Sequence, residues 1–162
     1  MKQIYILVVL IGFFTQVSAQ QNHPIVKKLM IIDAEYDVAL QPLNQLLDIS
    51  SFGSATRPKI NIQAITESDF QGSLVFELNG EVLAVENSAP YTLFGSKNGN
   101  IAGWTPKLGN YTLKITPYAL KDGKGKAGKP FVFAFTFIKT TRVQRHNVFS
   151  NATEEVLGFT QF

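Results

Sequence analysis

The stretch that decides the fold is Gly109–Ile138, which reads GNYTLKITPYALKDGKGKAGKPFVFAFTFI. Its first part is strictly alternating, because polar residues separate the apolar Tyr111, Leu113 and Ile115. Its last part places four phenylalanines at every second position, at 131, 133, 135 and 137. A period of two puts successive side chains on opposite faces of a β-strand. The two rows, joined by a loop of glycines and lysines, predict an antiparallel β-hairpin.

The phenylalanine strand is unusual because its second face is also apolar. Val132, Ala134 and Ile138 alternate with the phenylalanines. Strands that are apolar on both faces are typical of positions buried from both sides. We therefore expect 131–138 to be central in its sheet or covered on both faces.

Further alternating rows lie upstream, with Ile60, Ile62 and Ala64 in one and Leu74, Phe76 and Leu78 in another. Shorter strand candidates are Lys28–Ile32 and Glu81–Val85, and Asn79-Gly80 has the composition of a type I′ hairpin turn. Long helical patterns are missing from the sequence. Short strands separated by turns favour a β-sandwich over βαβ units. The predicted fold class is therefore all-β, an antiparallel sandwich of about seven strands.

The first nineteen residues have the pattern of a signal peptide. Lys2 precedes the apolar run Ile4–Phe14, and Val17 and Ala19 occupy the −3 and −1 positions of a small-residue cleavage site. The apolar run is about half of the ~20 residues needed to span a bilayer. We predict a signal peptide at 1–19, a linker at 20–27, a domain at 28–140 and a tail at 141–162. The expected location is outside the cytoplasm, secreted, at the cell surface or in the periplasm, with no membrane anchor after cleavage.

Composition narrows the classes of function. Without Lys2, fourteen basic and twelve acidic residues remain, and so small an excess does not indicate a nucleic-acid partner. The sequence has no cysteine, which excludes both disulfides and a lipid-modified N-terminal cysteine. Stability must therefore come from core burial, and a single domain of this size can bury roughly two-thirds of its unfolded surface.

Several short motifs, in their order and spacing, resemble those of a family of immunoglobulin-like or fibronectin-III-like modules. These modules occur in secreted and surface proteins of bacteria, often beside carbohydrate-binding or adhesive domains. The matching motifs are IIDAEYD at 31–37, GSLVFELNG at 72–80, ENSAPYTLFG at 86–95, GWTP at 103–106, GNYTLKITPY at 109–118 and GKAGKPFVFAFTF at 125–137. The resemblance implies an immunoglobulin-like sandwich over about 110 residues and a non-catalytic role. It carries over no catalytic residues.

Candidates for catalysis and metal binding are sparse. The two histidines, His23 and His146, stand outside the predicted strands, where a precisely positioned Ser-His-Asp or zinc site is hard to build. The acidic trio Asp33, Glu35 and Asp37 lacks the glycine and the closing glutamate of an EF-hand loop. We interpret the trio as a solvated turn, with weak calcium binding left open. The sequence predicts no catalytic residue, no metal site and no cofactor.

The segment Lys121–Lys129 combines glycines with four lysines. A phosphate-binding loop must lead into a helix N-terminus, whereas this segment leads through Pro130 into the phenylalanine strand. We interpret it as a long solvated hairpin loop whose lysines could attract an acidic polymer or headgroup in a salt-dependent way.

Large aromatic residues supply the ligand-binding candidates. Tyr91 and Phe94 precede the glycine-bounded loop 95–103, and Trp104 follows it. If these rings were exposed on one edge, they would form a stacking platform for sugars. The alternative is that they and Tyr118 fill the core, with their polar tips hydrogen-bonded. The predicted ligand-binding residues are Tyr91, Phe94, Trp104 and Tyr118.

Taken together, the sequence favours a non-catalytic exported module that binds an extracellular glycan or a surface protein, or that has a structural role. One alternative is an extracellular carbohydrate-active hydrolase. Another is an assembly subunit that adds an edge strand, or its apolar tail, to a partner's sheet.

Overall fold

The computed structural model describes residues 24–52 and 58–140. The predicted signal peptide, the tail 141–162 and both histidines lie outside this part of the chain. The strands are β1 (Val26–Asp33), β2 (Val38–Pro42), β3 (Leu46–Asp48), β4 (Ile60–Thr66), β5 (Ser73–Leu78), β6 (Glu81–Glu86), β7 (Tyr91–Thr92), β8 (Ser96–Lys97), β9 (Asn100–Ile101), β10 (Gly109–Tyr118) and β11 (Phe131–Ile138). A single 3-10 turn, Ile49–Ser51, is the only helical element among the described residues. None of them forms a helix that could cross a membrane.

The strands form two main sheets and one small hairpin. The first sheet has the order β2-β1-β4-β7, the second has the order β3-β11-β10-β5-β6, and β8 pairs with β9. All pairings are antiparallel except that of β3 with β11. The chain changes sheets from β2 to β3, from β3 to β4, from β4 to β5, from β6 to β7 and, through the β8-β9 hairpin, from β7 to β10. Repeated crossing between the two sheets is the Greek-key pattern of immunoglobulin-like sandwiches. The predicted fold class is confirmed.

The predicted apolar rows form the core between the sheets. Ile60, Ile62 and Ala64 from β4 face the rows of the second sheet, and all of the following side chains are buried: Leu74, Phe76, Leu78, Leu113, Ile115, Phe135 and Phe137. The predicted hairpin turn also has the expected backbone, because Asn79 and Gly80 both have positive φ angles, 53° and 86°. These elements follow from the alternation in the sequence alone.

Two details differ from the sequence-based predictions. The first strand begins at Val26, two residues before the start of the strand candidate Lys28–Ile32. More importantly, the second face of β11 is not covered, since Val132 is 60% exposed and Ala134 is exposed. The prediction of a doubly covered strand was wrong for this half of β11. The exposure of these side chains shows that no described segment packs over this face of β11. Separately, β3 pairs only with Thr136–Ile138, so the first half of β11 is also a sheet edge among the described strands.

Candidate functional site

The four predicted ligand-binding residues lie at opposite ends of the sandwich. Trp104 exchanges backbone hydrogen bonds of 2.8 Å with Ile60 at the start of β4, whereas Tyr91 pairs with Ala64 toward the end of that strand. Tyr118 ends β10 and pairs with Ser73. From Ile60 to Thr66, β4 spans about 20 Å at the usual rise of ~3.3 Å per residue. A single platform of all four rings is therefore not formed.

Phe94 and Trp104 belong to an aromatic cluster that closes one end of the core. Their ring centroids are 5.1 Å apart, and Trp104 also makes edge contacts with Tyr111 at 5.5 Å and Phe137 at 5.7 Å. Both residues are half-buried. Because the faces and edges of the indole are engaged by other rings, the cluster primarily supplies packing.

Tyr91 is a core residue at the other end. It is 4% exposed, and its ring lies 5.7 Å from that of Phe70. Burial also raises the pKa of the Tyr91 hydroxyl, because the phenolate would lose hydration. A ring buried in this way presents no face to a sugar, so Tyr91 does not belong to an exposed stacking surface.

Tyr118 lines a cleft of about 430 Å³ that opens between the two sheets. We call this opening the seam cleft. Its lining residues are Pro24, Ile25, Val26, Phe70, Pro117, Tyr118, Ala119, Lys126, Ala127, Gly128, Lys129, Pro130, Phe131 and Val132. The walls are thus mostly apolar, with two lysines among them.

The seam cleft exists because the edge strands β2 and β3 are shorter than the strands they pair with and leave the same end of the sandwich unpaired. In the first sheet, β2 pairs only with residues 30–33 of β1. In the second sheet, β3 pairs only with residues 136–138 of β11. The first halves of β1 and β11 therefore lack a neighbouring strand on this side among the described residues, and the space between the sheets remains open there.

The segment 121–129, which we call the lysine loop, borders the seam cleft. Backbone hydrogen bonds hold it and its flanking residues in place. Ala119 N donates to Lys126 O at 3.1 Å and Leu120 N donates to Lys124 O at 3.0 Å, while Gly128 N donates to Pro117 O at 2.8 Å. Positive φ angles at Asp122, Gly123 and Gly125 produce its tight turns. The prediction of a hairpin loop joining two strands is confirmed, and the loop is a defined structure.

Two side chains anchor this loop to the second sheet. The buried Ser73 hydroxyl donates to Leu120 O at 2.6 Å and accepts from Gly123 N at 2.9 Å. Asn87, just after β6, donates to the Asp122 carboxylate at 2.8 Å and accepts from Asp122 N at 2.7 Å. A loop fixed by such contacts presents its lysines with little further loss of conformational entropy.

The charge of the loop is strongly positive. Residues 121–129 contain four lysines and one aspartate, and Lys126 and Lys129 line the seam cleft. The Lys124 to Asp122 ion pair is 3.8 Å long and exposed, so it contributes little to stability. With four lysines and one aspartate, the segment 121–129 by itself carries a net charge of +3, which attracts anions in general.

The acidic trio near β1 forms a turn. Asp33 Oδ1 accepts a hydrogen bond of 2.9 Å from Glu35 N, and Asp37 Oδ1 accepts one of 3.1 Å from Ile101 N. These carboxylates therefore serve the backbone of the turn and of the β8-β9 hairpin. Within residues 24–52 and 58–140, no cluster of three or more His, Cys, Asp or Glu side chains could hold a metal ion.

Sequence reasoning missed the seam cleft even though it selected Tyr118. The apolar walls come from residues far apart in the chain, such as Phe70, Pro117 and Phe131. A usable signal was the placement of Pro117 and Pro130 at either end of the lysine loop, next to aromatic residues. That signal does not reveal that β2 and β3 are too short to close the seam.

Comparison with solved structures adds a likeness in fold. No protein-family model matches the chain, and no curated protein matches it. Among solved structures, the chain is similar to a chain described as "Structures of Clostridium thermocellum CbhA fibronectin(III)-like modules". The identity is 18% and the TM-score is 0.39, over 61% of this chain and 93% of that chain. The fold assignment accordingly stands on the strand order described above.

Proposed function

We propose that the protein is an exported, non-catalytic binding module whose partner occupies the seam cleft. The observation that carries this proposal is the cleft itself, with apolar walls and a basic rim set on an anchored hairpin. Its volume of about 430 Å³ falls within the range of ligand sites, roughly 300–1,000 Å³. Tyr118, one of the four residues expected to bind a ligand, forms part of its wall.

The chemistry of the cleft wall supports binding over catalysis. The described residues that line it include no carboxylate, imidazole, serine or threonine side chain. Glycoside hydrolysis ordinarily requires two carboxyl groups flanking the scissile bond, and an acyl transfer requires an activated nucleophile. The hydrolase alternative therefore finds no support at this site. Export rests on the signal-peptide pattern of residues 1–19, and the partner is then a glycan or a protein outside the cytoplasm.

The test uses the position of the single tryptophan, Trp104, at the end of the sandwich opposite the seam cleft. The chain without residues 1–19, labelled with ¹⁵N, is titrated with neutral and uronic-acid oligosaccharides and with acidic and basic peptides. We expect amide shifts at 118–119, 126–129 and 131–132 with unchanged tryptophan emission. Tyr118→Ala should weaken binding at least tenfold, and Tyr36→Ala, at a 71% exposed tyrosine outside the cleft, should not.

Two results would contradict the proposal. Shifts and an emission change confined to the surroundings of Phe94 and Trp104 would place binding at the aromatic cluster instead. No shift at any cleft residue with any of the four probe classes would remove the binding role of the seam cleft.

A further inference from the structure

The backbone beside the seam cleft has hydrogen-bonding groups that lack a partner among the described residues. Thr136 N donates to Gln45 O at 2.8 Å, so the N–H of Thr136 is directed to the outer edge of the second sheet. Backbone groups on a strand alternate in direction with a period of two residues. Val132 and Ala134 consequently direct their N–H and C=O groups to the same edge, and no described strand pairs with them there.

From this edge we infer that the partner is an extended acidic peptide strand that pairs with residues 131–135 of β11. The inference rests on the proposed function, because it names the partner class for the same cleft. In this arrangement the backbone of the peptide supplies the missing ladder hydrogen bonds of Val132 and Ala134. Alternate side chains of the peptide point into the opening between the sheets, and the others lie outward beside Val132.

The apolar walls determine one half of the peptide's chemistry. Side chains that point into the seam cleft meet Phe70, Pro117 and Phe131. Valine, isoleucine or leucine at every second position would remove this apolar surface from water, at about 25 cal/mol for each Å² buried. The peptide would thereby extend the core past the point where β3 ends.

The charge of the rim determines the other half. Lys129 is exposed immediately before β11 and lines the seam cleft, at the end of a loop with four lysines and one aspartate. A strand running along residues 131–135 must pass this rim. Glutamate or aspartate where the peptide passes this rim complements the lysines, whereas lysine there is repelled.

The opposite edge of the same sheet lacks these features. Its edge strand, β6, begins and ends with glutamates, Glu81 and Glu86, and its pairing with β5 is interrupted by a bulge. A bulge twists an edge away from regular pairing and protects it from strand addition. The described part of the sheet therefore offers a regular, basic edge on β11 alone.

The test uses the chain without residues 1–19 and two fluorescent twelve-residue peptides in which valine alternates with glutamate or with lysine. We expect the glutamate peptide to bind at least tenfold more tightly by anisotropy, with affinity falling as salt rises. Amide exchange at Val132 and Ala134 should slow when it binds. A glutamate peptide that is N-methylated at every second residue should lose binding, because it cannot complete the ladder.

Variants of the chain test the same contacts. Val132→Pro removes an outward N–H that has no described partner, so it should weaken the glutamate peptide at least tenfold while the thermal midpoint changes little. Lys129→Glu should also weaken it, and Lys97→Glu, an exposed lysine on β8, is the matched control and should not.

The remaining outcomes separate this inference from the proposed function. Amide exchange at Val132 and Ala134 is also compared at low and high protein concentration without peptide. If exchange slows at high concentration and light scattering detects dimers, the edge binds a second copy of the chain, and the peptide inference is overturned. Uronic-acid oligosaccharides that shift the amides of residues 118–119 while neither peptide binds would also overturn it, yet would leave the binding module standing. No response of any cleft residue to either probe class would overturn both.

Discussion

The hydroxyl of Tyr111 donates a hydrogen bond of 2.9 Å to the backbone carbonyl of Lys107, four residues upstream. Tyr111 lies near the start of β10, and this geometry is that of the tyrosine corner of immunoglobulin-like sandwiches. The same ring lies 5.5 Å from Trp104 and 5.4 Å from Phe135. The hydrogen bond therefore fixes the segment between β9 and β10. This segment contains Trp104 and connects the first sheet to the second.

Tyr111→Phe should destabilise the domain by about 1 kcal/mol, the typical net contribution of one hydrogen bond. The substitution keeps the ring contacts and removes only the hydroxyl. The measurement is the free energy of unfolding from denaturant titration followed by Trp104 emission. Tyr36→Phe is the control, since Tyr36 is 71% exposed and its hydroxyl lacks a described partner. Equal stability of both variants and the parent would show that the corner contributes nothing.

Ser73→Ala should loosen the lysine loop. The substitution leaves Leu120 O and Gly123 N without the buried hydroxyl that joins them, and an unsatisfied buried polar group costs about 1–3 kcal/mol. We expect lower stability and faster amide exchange at Gly123. Ser88→Ala, at an exposed serine near the end of β6, should change neither. Unaltered exchange at Gly123 in Ser73→Ala would mean that the loop is held by its internal hydrogen bonds alone.

Gly72→Ala should be strongly destabilising for a steric reason. A Cβ at residue 72 would lie 1.9 Å from the backbone oxygen of Tyr118, so β5 and β10 must separate at the wall of the seam cleft. Overpacking typically costs 1–3 kcal/mol, and more where backbone atoms must move. Gly99→Ala is the comparison, because its φ of +84° is strained but its Cβ would meet nothing within 4 Å. A loss in Gly72→Ala no larger than that in Gly99→Ala would contradict the close approach.

The alternating rows were predictable because each depends on one face of one strand. Ile60, Ile62 and Ala64 show a period of two, and burial of one sheet face requires that pattern. The same reasoning failed for Val132, because an apolar residue on the outer face does not guarantee a covering layer. Whether that face is covered depends on which distant segments pack over the sheet, and the alternation within one strand does not record this.

The candidate site was harder to predict for the same reason. The seam cleft arises where two pairings end together, and no local pattern in the sequence records where β2 and β3 stop. Tyr91 and Tyr118 are both tyrosines beside prolines, yet only tertiary packing buries the first and leaves the second half-buried in the cleft. Ring type and local sequence therefore do not separate core residues from binding candidates.

Asp48→Asn should reduce stability at neutral pH and lose this effect in acid. Hydrogen bonds from the Ser50 side chain and from Thr140 hold the pKa of the Asp48 carboxyl well below its usual value. A depressed folded-state pKa stabilises the fold above the unfolded pKa, about 3.9, and this contribution fades as pH falls further. Denaturant titrations of both proteins between pH 7 and pH 2 check it. A difference that stays constant over this range would contradict the ionic origin.

Glu86→Gln should act in the opposite direction. Burial raises the pKa of the Glu86 carboxyl, because the charged form is poorly hydrated. The carboxyl lies close to Gly95, since a Cβ added at Gly95 would be 3.1 Å from Glu86 Oε1. A raised folded-state pKa means that ionised Glu86 opposes folding at neutral pH and that this penalty disappears as pH falls below the unfolded pKa, about 4.3. The neutral glutamine should therefore raise the thermal midpoint at pH 7 and leave it nearly unchanged at pH 3. Glu81→Gln, at the exposed start of the same strand, serves as the control. An equal rise of the thermal midpoint in both variants would assign the effect to the overall charge of β6 and not to burial of Glu86.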